Sequence, residues 1–297
     1  MASILVGTTD GLYELGKPAG LEGRTVTDLA LSGTDLWAIT DGTSLLRSTD
    51  GGSWDSVAET EKYRGRCVLP LDGGDALVGT SEARLMRLRG GNLEPVSSFD
   101  IVEGRDGWYT PWGGPPDTRS LTRASSGRTF ANVHVGGIVQ SDDEVTWAPA
   151  GLSVDSDVHQ VLAHPFRPEV VLAACAYGLA RSDDGGDTWE FQTEGLHASY
   201  CRAVAASEET IFVSASRSHR GEQAAVYRQS VGGAFEQCRD GLPEWFGDNV
   251  DTHCLAAREG TVALGTTDGS VYASSDEGAT WERVAASLPS VRCLVIR

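Results

Sequence analysis

Seven short apolar segments of this chain share one position held almost entirely by arginine and histidine. They read "VTDLAL", "GRCVLPL", "TRSLTRA", "VHQVLAHP", "CRAVAAS", "THCLAAR" and "VRCLVIR", and aligning them puts Asp28, Arg66, Arg119, His159, Arg202, His253 and Arg292 in one column. Guanidinium groups brought together can grip a carboxylate or phosphate bidentately. Imidazoles in the same set can transfer protons or hold a metal ion. The residues that follow (Leu29, Cys67, Ser120, Gln160, Ala203, Cys254, Cys293) are mostly small or apolar, as expected if alternate side chains face a channel and an interior.

Further groups of this kind lie in neighbouring segments: His134 in "NVHVGG", Tyr177 in "CAYG", and His197 with Tyr200 in "GLHASYC". Together with Arg66, Arg119, His159, Arg202, His253 and Arg292 they are the expected ligand-binding residues. For proton transfer the candidates are His159, Tyr200 and His253. His134, His159, His197 and His253 can also converge as metal ligands, but no local spacing such as H-x-E-x-H supports one, so neither a metal nor another cofactor is expected. The competing interpretation is that the charged column plugs a solvent-filled channel and pairs with Asp and Glu.

What could place these side chains together is a repeat. The turns "STDGGSW", "SDDEVTW", "SDDGGDTW" and "SSDEGATW" end at Trp54, Trp147, Trp189 and Trp281. The adjacent pair sets a unit of 42 residues, and the other gaps are close to two units, with "GGNLEPV" and "GGAFEQC" standing where turns are missing. Seven segments such as "DLWAITDGTSLLRS" and "VVLAACAYGLARS" read as strand, turn, strand from their β-branched residues and Gly/Asp punctuation. With the apolar segment before each and the strand after the Asp/Gly/Trp turn, every unit has four strands. The chain starts on a second strand, "ILVGTTDG", and finishes on a first strand, "SVRCLVIR", so the last strand should complete the first sheet and close a ring without edges. The expected fold is all-β, a seven-bladed β-propeller spanning residues 1–297 as one domain.

Composition excludes some partners. The net charge is −18, which argues against nucleic acid or an anionic membrane. Lys17 and Lys62 are the only lysines; an acidic surface with so little lysine fits a protein soluble in concentrated salt. The beginning, "MASILVGTTDG", shows neither a basic region nor a long apolar stretch, and no run approaches a membrane span, so a cytoplasmic protein is expected. Six scattered cysteines without a C-x-x-C pair read as buried thiols.

The S-x-D-x-G-x-T-W turn after "GL-x-R" resembles the Asp-box, or BNR, repeat of sialidases, other glycoside hydrolases, sortilin-type receptors and photosystem II assembly factors. The copies at 182–189 and 274–281 match well, 48–54 lacks one residue, and 141–147 has Glu144 in place of glycine. The resemblance implies that the box Asp caps a turn between third and fourth strands and that the Trp packs between blades. A calcium loop would need ligands at alternating positions and a distal glutamate, which "SDDGGDTW" does not have. Propeller geometry sends the turns between second and third strands and the links between blades to the face away from these boxes, where enlarged loops usually build a binding site. The enlarged segments 98–118, 216–223 and 239–251 belong to that face and bring Trp108, Tyr109, Trp112, His219, Arg220, Trp245 and Phe246. Sialidase-like chemistry would use an arginine triad, for which Arg66, Arg119, Arg202 and Arg292 are available. This chain departs from sialidases in having seven units rather than six, in lacking the Arg-Ile-Pro-type motif and in offering no placeable Tyr/Glu pair. "NVHVGG", "DVHQVLAHP" and "GLHASYC" are similar to archaeal and actinobacterial propellers described only as BNR-like or glycosyl-hydrolase-like. Two functions are therefore carried forward. One is binding or processing of a small anionic or sugar-like molecule, as a hydrolase or lyase. The other is a non-catalytic scaffold with a protein partner, as in the assembly factors.

Overall fold

Backbone pairing organises the chain into seven four-stranded antiparallel sheets in the computed structural model, which describes residues 2–60, 62–230 and 232–297. No α-helix occurs among the described residues, and no helix is long and apolar enough to cross a membrane. Six sheets are built from consecutive strands, and their innermost strands are Val26–Ser32, Gly65–Pro70, Thr118–Arg123, Val158–Ala163, Tyr200–Ala206 and Leu255–Arg258. We number these blades 2 to 7. Blade 1 takes its innermost strand from the other end of the chain: Val291–Ile296 pairs with Ile4–Thr8, Ile4 opposite Ile296 and Val6 opposite Leu294. Each innermost strand lies against those of both neighbouring blades, so the ring is closed and the fold is a seven-bladed β-propeller.

The second strands are continuous buried runs because both faces are covered by adjacent blades; "TFANV", "VLAAC" and "TIFVSAS" are buried throughout. Trp37, Phe130 and Phe212 on such strands are fully buried, each worth about 1.5–3 kcal/mol of transfer free energy. The outer turns pack on them. A Cβ at Gly186 would lie 2.7 Å from Phe130 and one at Gly278 2.7 Å from Phe212, so these two turn glycines sit on aromatic rings of the preceding blades.

In the recurring turns the aspartate at the third position caps backbone N–H groups. Asp50 Oδ1 accepts from Gly52 and Ser53, Asp143 Oδ1 from Val145 and Thr146, Asp184 Oδ1 from Asp187 and Thr188, and Asp276 Oδ1 from Thr280. The Thr188 and Thr280 hydroxyls donating to Asp184 and Asp276, and the backbone N–H groups at all four turns, lower each carboxyl to about 2. The neighbouring acids of "SDDGGDTW" face arginines: Asp183 pairs with Arg181 and Asp187 with Arg128. The six cysteines are free and buried.

Six of the seven innermost strands contain one extra residue relative to their partner. In blade 3, Gly65 faces Thr80 and Cys67 faces Gly79, which leaves Arg66 outside the ladder. The same bulge holds Arg119 in blade 4, His159 in blade 5, Arg202 in blade 6 and Arg292 in blade 1. In blade 7 the corresponding His253 has φ 62° just ahead of the strand. Blade 2 corrects the sequence-based column. Val26 faces Thr40 and Asp28 faces Ile39, so Thr27, not Asp28, occupies the bulge. The residue after each bulge turns toward the next blade, where polar examples bind an N–H of its innermost strand: Asp28 accepts from Val68 at 2.8 Å and Ser120 from Val161 at 2.9 Å.

Candidate functional site

The bulges come early in each innermost strand, and antiparallel pairing brings the turns between second and third strands to that same end of the channel. The Asp/Gly/Trp turns fall at the other end. Around the channel mouth Arg64, Arg66, Arg119, Arg202, Arg292, His134, His253, Asp117, Asp251, Thr25, Thr27, Thr252 and Trp112 line an open cavity of about 590 Å³. Arg66, Arg119, His134, Arg202, His253 and Arg292 are thus brought together as the sequence suggested. Tyr177 is not among them: it is 60% exposed in the turn between Cys175 and Gly178. His197 is also elsewhere, its Nδ1 2.6 Å from the Tyr227 hydroxyl and its ring against Trp245. The four histidines therefore do not form one cluster.

Five arginines and two aspartates line the cavity, so positive charge is in excess. Arg66 Nε lies 3.0 Å from Asp117 Oδ2. Arg119 and Arg202 each donate at 2.9 Å to the same oxygen, Asp251 Oδ1, which also accepts from the Thr252 N–H at 2.8 Å. Burial disfavours the Asp251 carboxylate, yet these two guanidiniums outweigh it and hold the carboxyl well below its usual range. Arg292 is exposed and has no acidic partner among the described residues. His253 Nδ1 lies 2.7 Å from Asp28 Oδ1; burial works against its charge, but Asp28 prevails and raises its pKa.

Beside the cavity a second group forms. His159 is fully buried, with Nδ1 2.6 Å from the Cys201 carbonyl oxygen. Only an N–H can face a carbonyl at that distance, so Nδ1 carries the proton and Nε2 presents a lone pair. The Tyr200 hydroxyl donates to Nε2 at 3.0 Å, and Arg202 Cζ stands 5.7 Å from the Tyr200 ring centre. Burial lowers the His159 pKa despite Asp157 beside it. Asp157 Oδ2 is 3.6 Å from His159 Nε2, and Asp157 Oδ1 is 3.2 Å from His134 Nε2. The Trp112 ring lies over His134 with centroids 5.4 Å apart.

Sequence reasoning missed the acids of this mouth. Asp117, Asp157 and Asp251 each stand two residues before a member of the arginine and histidine column, in "DTR", "DVH" and "DTH". That second column was a readable signal.

No protein-family model matches the chain, and no curated protein matches it in sequence. Solved structures match its fold. YCF48 bound to D1 peptide superposes with a TM-score of 0.62 at 19% identity, over 89% of this chain and 85% of that one. The GH74 enzyme of Niastella koreensis gives 0.64 at 14% identity over 94% of this chain and 46% of its own, so this chain spans about half that enzyme's length. The WD40 β-propeller domain of Doa1 gives 0.65 at 12% identity, over 95% and 86%. At these identities the likeness carries the propeller fold alone.

Proposed function

We propose that the channel mouth binds a small anionic or sugar-like molecule through a carboxylate or phosphate group. The observation that carries this reading is the cavity of about 590 Å³ in which five arginines meet only two aspartates, Arg292 being without an acidic partner. On a chain of net charge −18 such a mouth is a local attractor for anions, and guanidinium pairs suit bidentate oxyanion binding. Glycoside hydrolysis by a carboxyl pair is poorly served, because such chemistry needs one protonated acid and both lining aspartates face arginines. If the mouth processes its ligand, the Tyr200–His159 hydrogen bond supplies the proton-transfer pair, whereas His253 is tied to Asp28.

A protein partner is the second reading, favoured by Trp112, which is 71% exposed beside the same arginines. An acidic peptide would meet both, and YCF48 offers a propeller with a peptide bound.

The test is a thermal-shift and calorimetry screen with galacturonate, sialic acid, a sugar phosphate and inorganic phosphate, using wild type and Arg292→Ala. A bound anion raises the melting temperature of the wild type, and Arg292→Ala reduces that shift. If none of these anions shifts the wild type, or the variant responds equally, the anion reading fails.

A further inference from the structure

Three donor groups next to the cavity face one another with no proton between two of them. The tautomer imposed by the Cys201 carbonyl leaves His159 Nε2 as a lone pair, so it cannot donate to Asp157 Oδ2 at 3.6 Å. Asp157 Oδ1 is buried and receives no hydrogen bond, since His134 Nε2 approaches it at 3.2 Å without hydrogen-bonding geometry. One donor atom from each of His134, Asp157 and His159 lies within 4.8 Å of the others. Lone pairs of His159 and Asp157 converge here, and His134 adds a third when its proton sits on Nδ1; such a set is what a cation needs and what a simple ion-pair network avoids.

We propose that His134, Asp157 and His159 bind one divalent first-row transition-metal ion at the wall of the channel mouth. The donor set selects this class. Calcium and magnesium take oxygen ligands in larger number, whereas imidazole nitrogen with carboxylate suits zinc, iron(II), cobalt(II) and their neighbours. The spacing leaves room for an ion: the edge of a tetrahedral site with bonds near 2.0 Å is about 3.3 Å, and the carboxylate approaches His134 Nε2 at 3.2 Å through Oδ1 and His159 Nε2 at 3.6 Å through Oδ2, with one donor atom of each residue within 4.8 Å of the others. His159 already has the second contact common for a metal-bound histidine, with its remote N–H on a backbone carbonyl. The two histidines come from different blades and Asp157 has φ 48°, a left-handed conformation that aspartate tolerates better than most residues. This is why no compact motif marks the site.

Three protein ligands leave positions open, and His134 also lines the cavity, so exchangeable ligands have a path to the ion. The hydroxyl of Tyr200 now bonds His159 Nε2; once a metal takes that lone pair, the hydroxyl is released to donate to whatever the metal holds. An oxyanion gripped by Arg119 and Arg202 would then meet a second positive centre. That last extension rests on the anion reading, whereas the metal site itself does not.

The experiment uses the full chain. After stripping with chelator, the protein is titrated with Zn²⁺ by calorimetry and with Co²⁺ by visible absorption, in 0.2 M salt to suppress loose binding on its acidic surface. Wild type is expected to take one equivalent, with a cobalt d–d spectrum showing nitrogen ligation. Asp157→Asn and His134→Ala are expected to weaken binding at least ~100-fold while keeping the wild-type circular dichroism. Asparagine accepts the left-handed backbone at 157, so that variant retains the fold; the buried His159 is left intact for the same reason. Arg292→Ala is expected to keep the metal while losing anion binding, which separates failure of this site from failure of the anion reading. Absence of a bound equivalent in wild type overturns the proposal, as does equal binding by folded Asp157→Asn.

Discussion

Replacing Asp251 with asparagine should make the protein less stable and the channel mouth a better anion receptor at once. The carboxylate takes hydrogen bonds from Arg119 and Arg202, both at 2.9 Å, and from the Thr252 N–H at 2.8 Å. Asparagine keeps one acceptor oxygen but removes the charge that balances two guanidiniums. Charge-assisted hydrogen bonds contribute about 1.5–3 kcal/mol each when sheltered. The Asp251 side chain is 38% exposed, so solvent screening reduces the combined loss to about 1–3 kcal/mol. The ligand side has the opposite sign. An anion seated on these arginines lies about 6 Å from the Asp251 charge, a repulsion of about 1–3 kcal/mol between the watery and protein-like limits of the dielectric. Removing it should tighten inorganic phosphate binding by roughly 5- to 100-fold. Urea unfolding gives the first quantity and calorimetry with phosphate the second. If Asp251→Asn loses stability without gaining affinity, the anion does not sit on Arg119 and Arg202 and the charge argument is wrong.

Gly241 adopts φ 82°, and a Cβ there would stand 1.8 Å from the Trp281 carbonyl oxygen, so Gly241→Ala should cost about 3 kcal/mol or more in urea unfolding. Gly107, whose Cβ would meet nothing within 4 Å, should tolerate alanine within about 0.5 kcal/mol. The His253–Asp28 pair sets a pH dependence. Because the folded pKa of His253 is raised, its stabilisation is complete below the unfolded value of about 6.5 and is lost as pH rises through the folded value. The urea midpoint should therefore fall from pH 6 toward pH 8.5, and His253→Gln should flatten that slope; an unchanged slope would refute the assignment.

Trp147 and Trp189, 42 residues apart, were enough to space the blades, because a turn that packs on the preceding blade, as Gly186 does on the Phe130 ring, recurs at the pitch of the ring. The arginine and histidine column was legible for the same reason. Its one error, Asp28, arose where two polar residues are adjacent in "VTDLAL": alternation alone does not say which of Thr27 and Asp28 is expelled by the bulge. His197 was misplaced because it lies in a link, where ring direction depends on Tyr227 and Trp245 from elsewhere in the chain. Asp157 escaped notice since its partner His134 belongs to another blade.

The bulge has a consequence for how such a molecule can change. A residue expelled from the ladder contributes a side chain to the mouth, while the duty of joining blade to blade falls on the residue after it. Recognition and assembly are thereby assigned to adjacent but separate letters. Five of these positions, Thr27, Arg66, Arg119, Arg202 and Arg292, are half-buried or exposed and can be rewritten one at a time while strand register and ring closure persist, so the mouth behaves as a small alphabet displayed on a largely indifferent wheel.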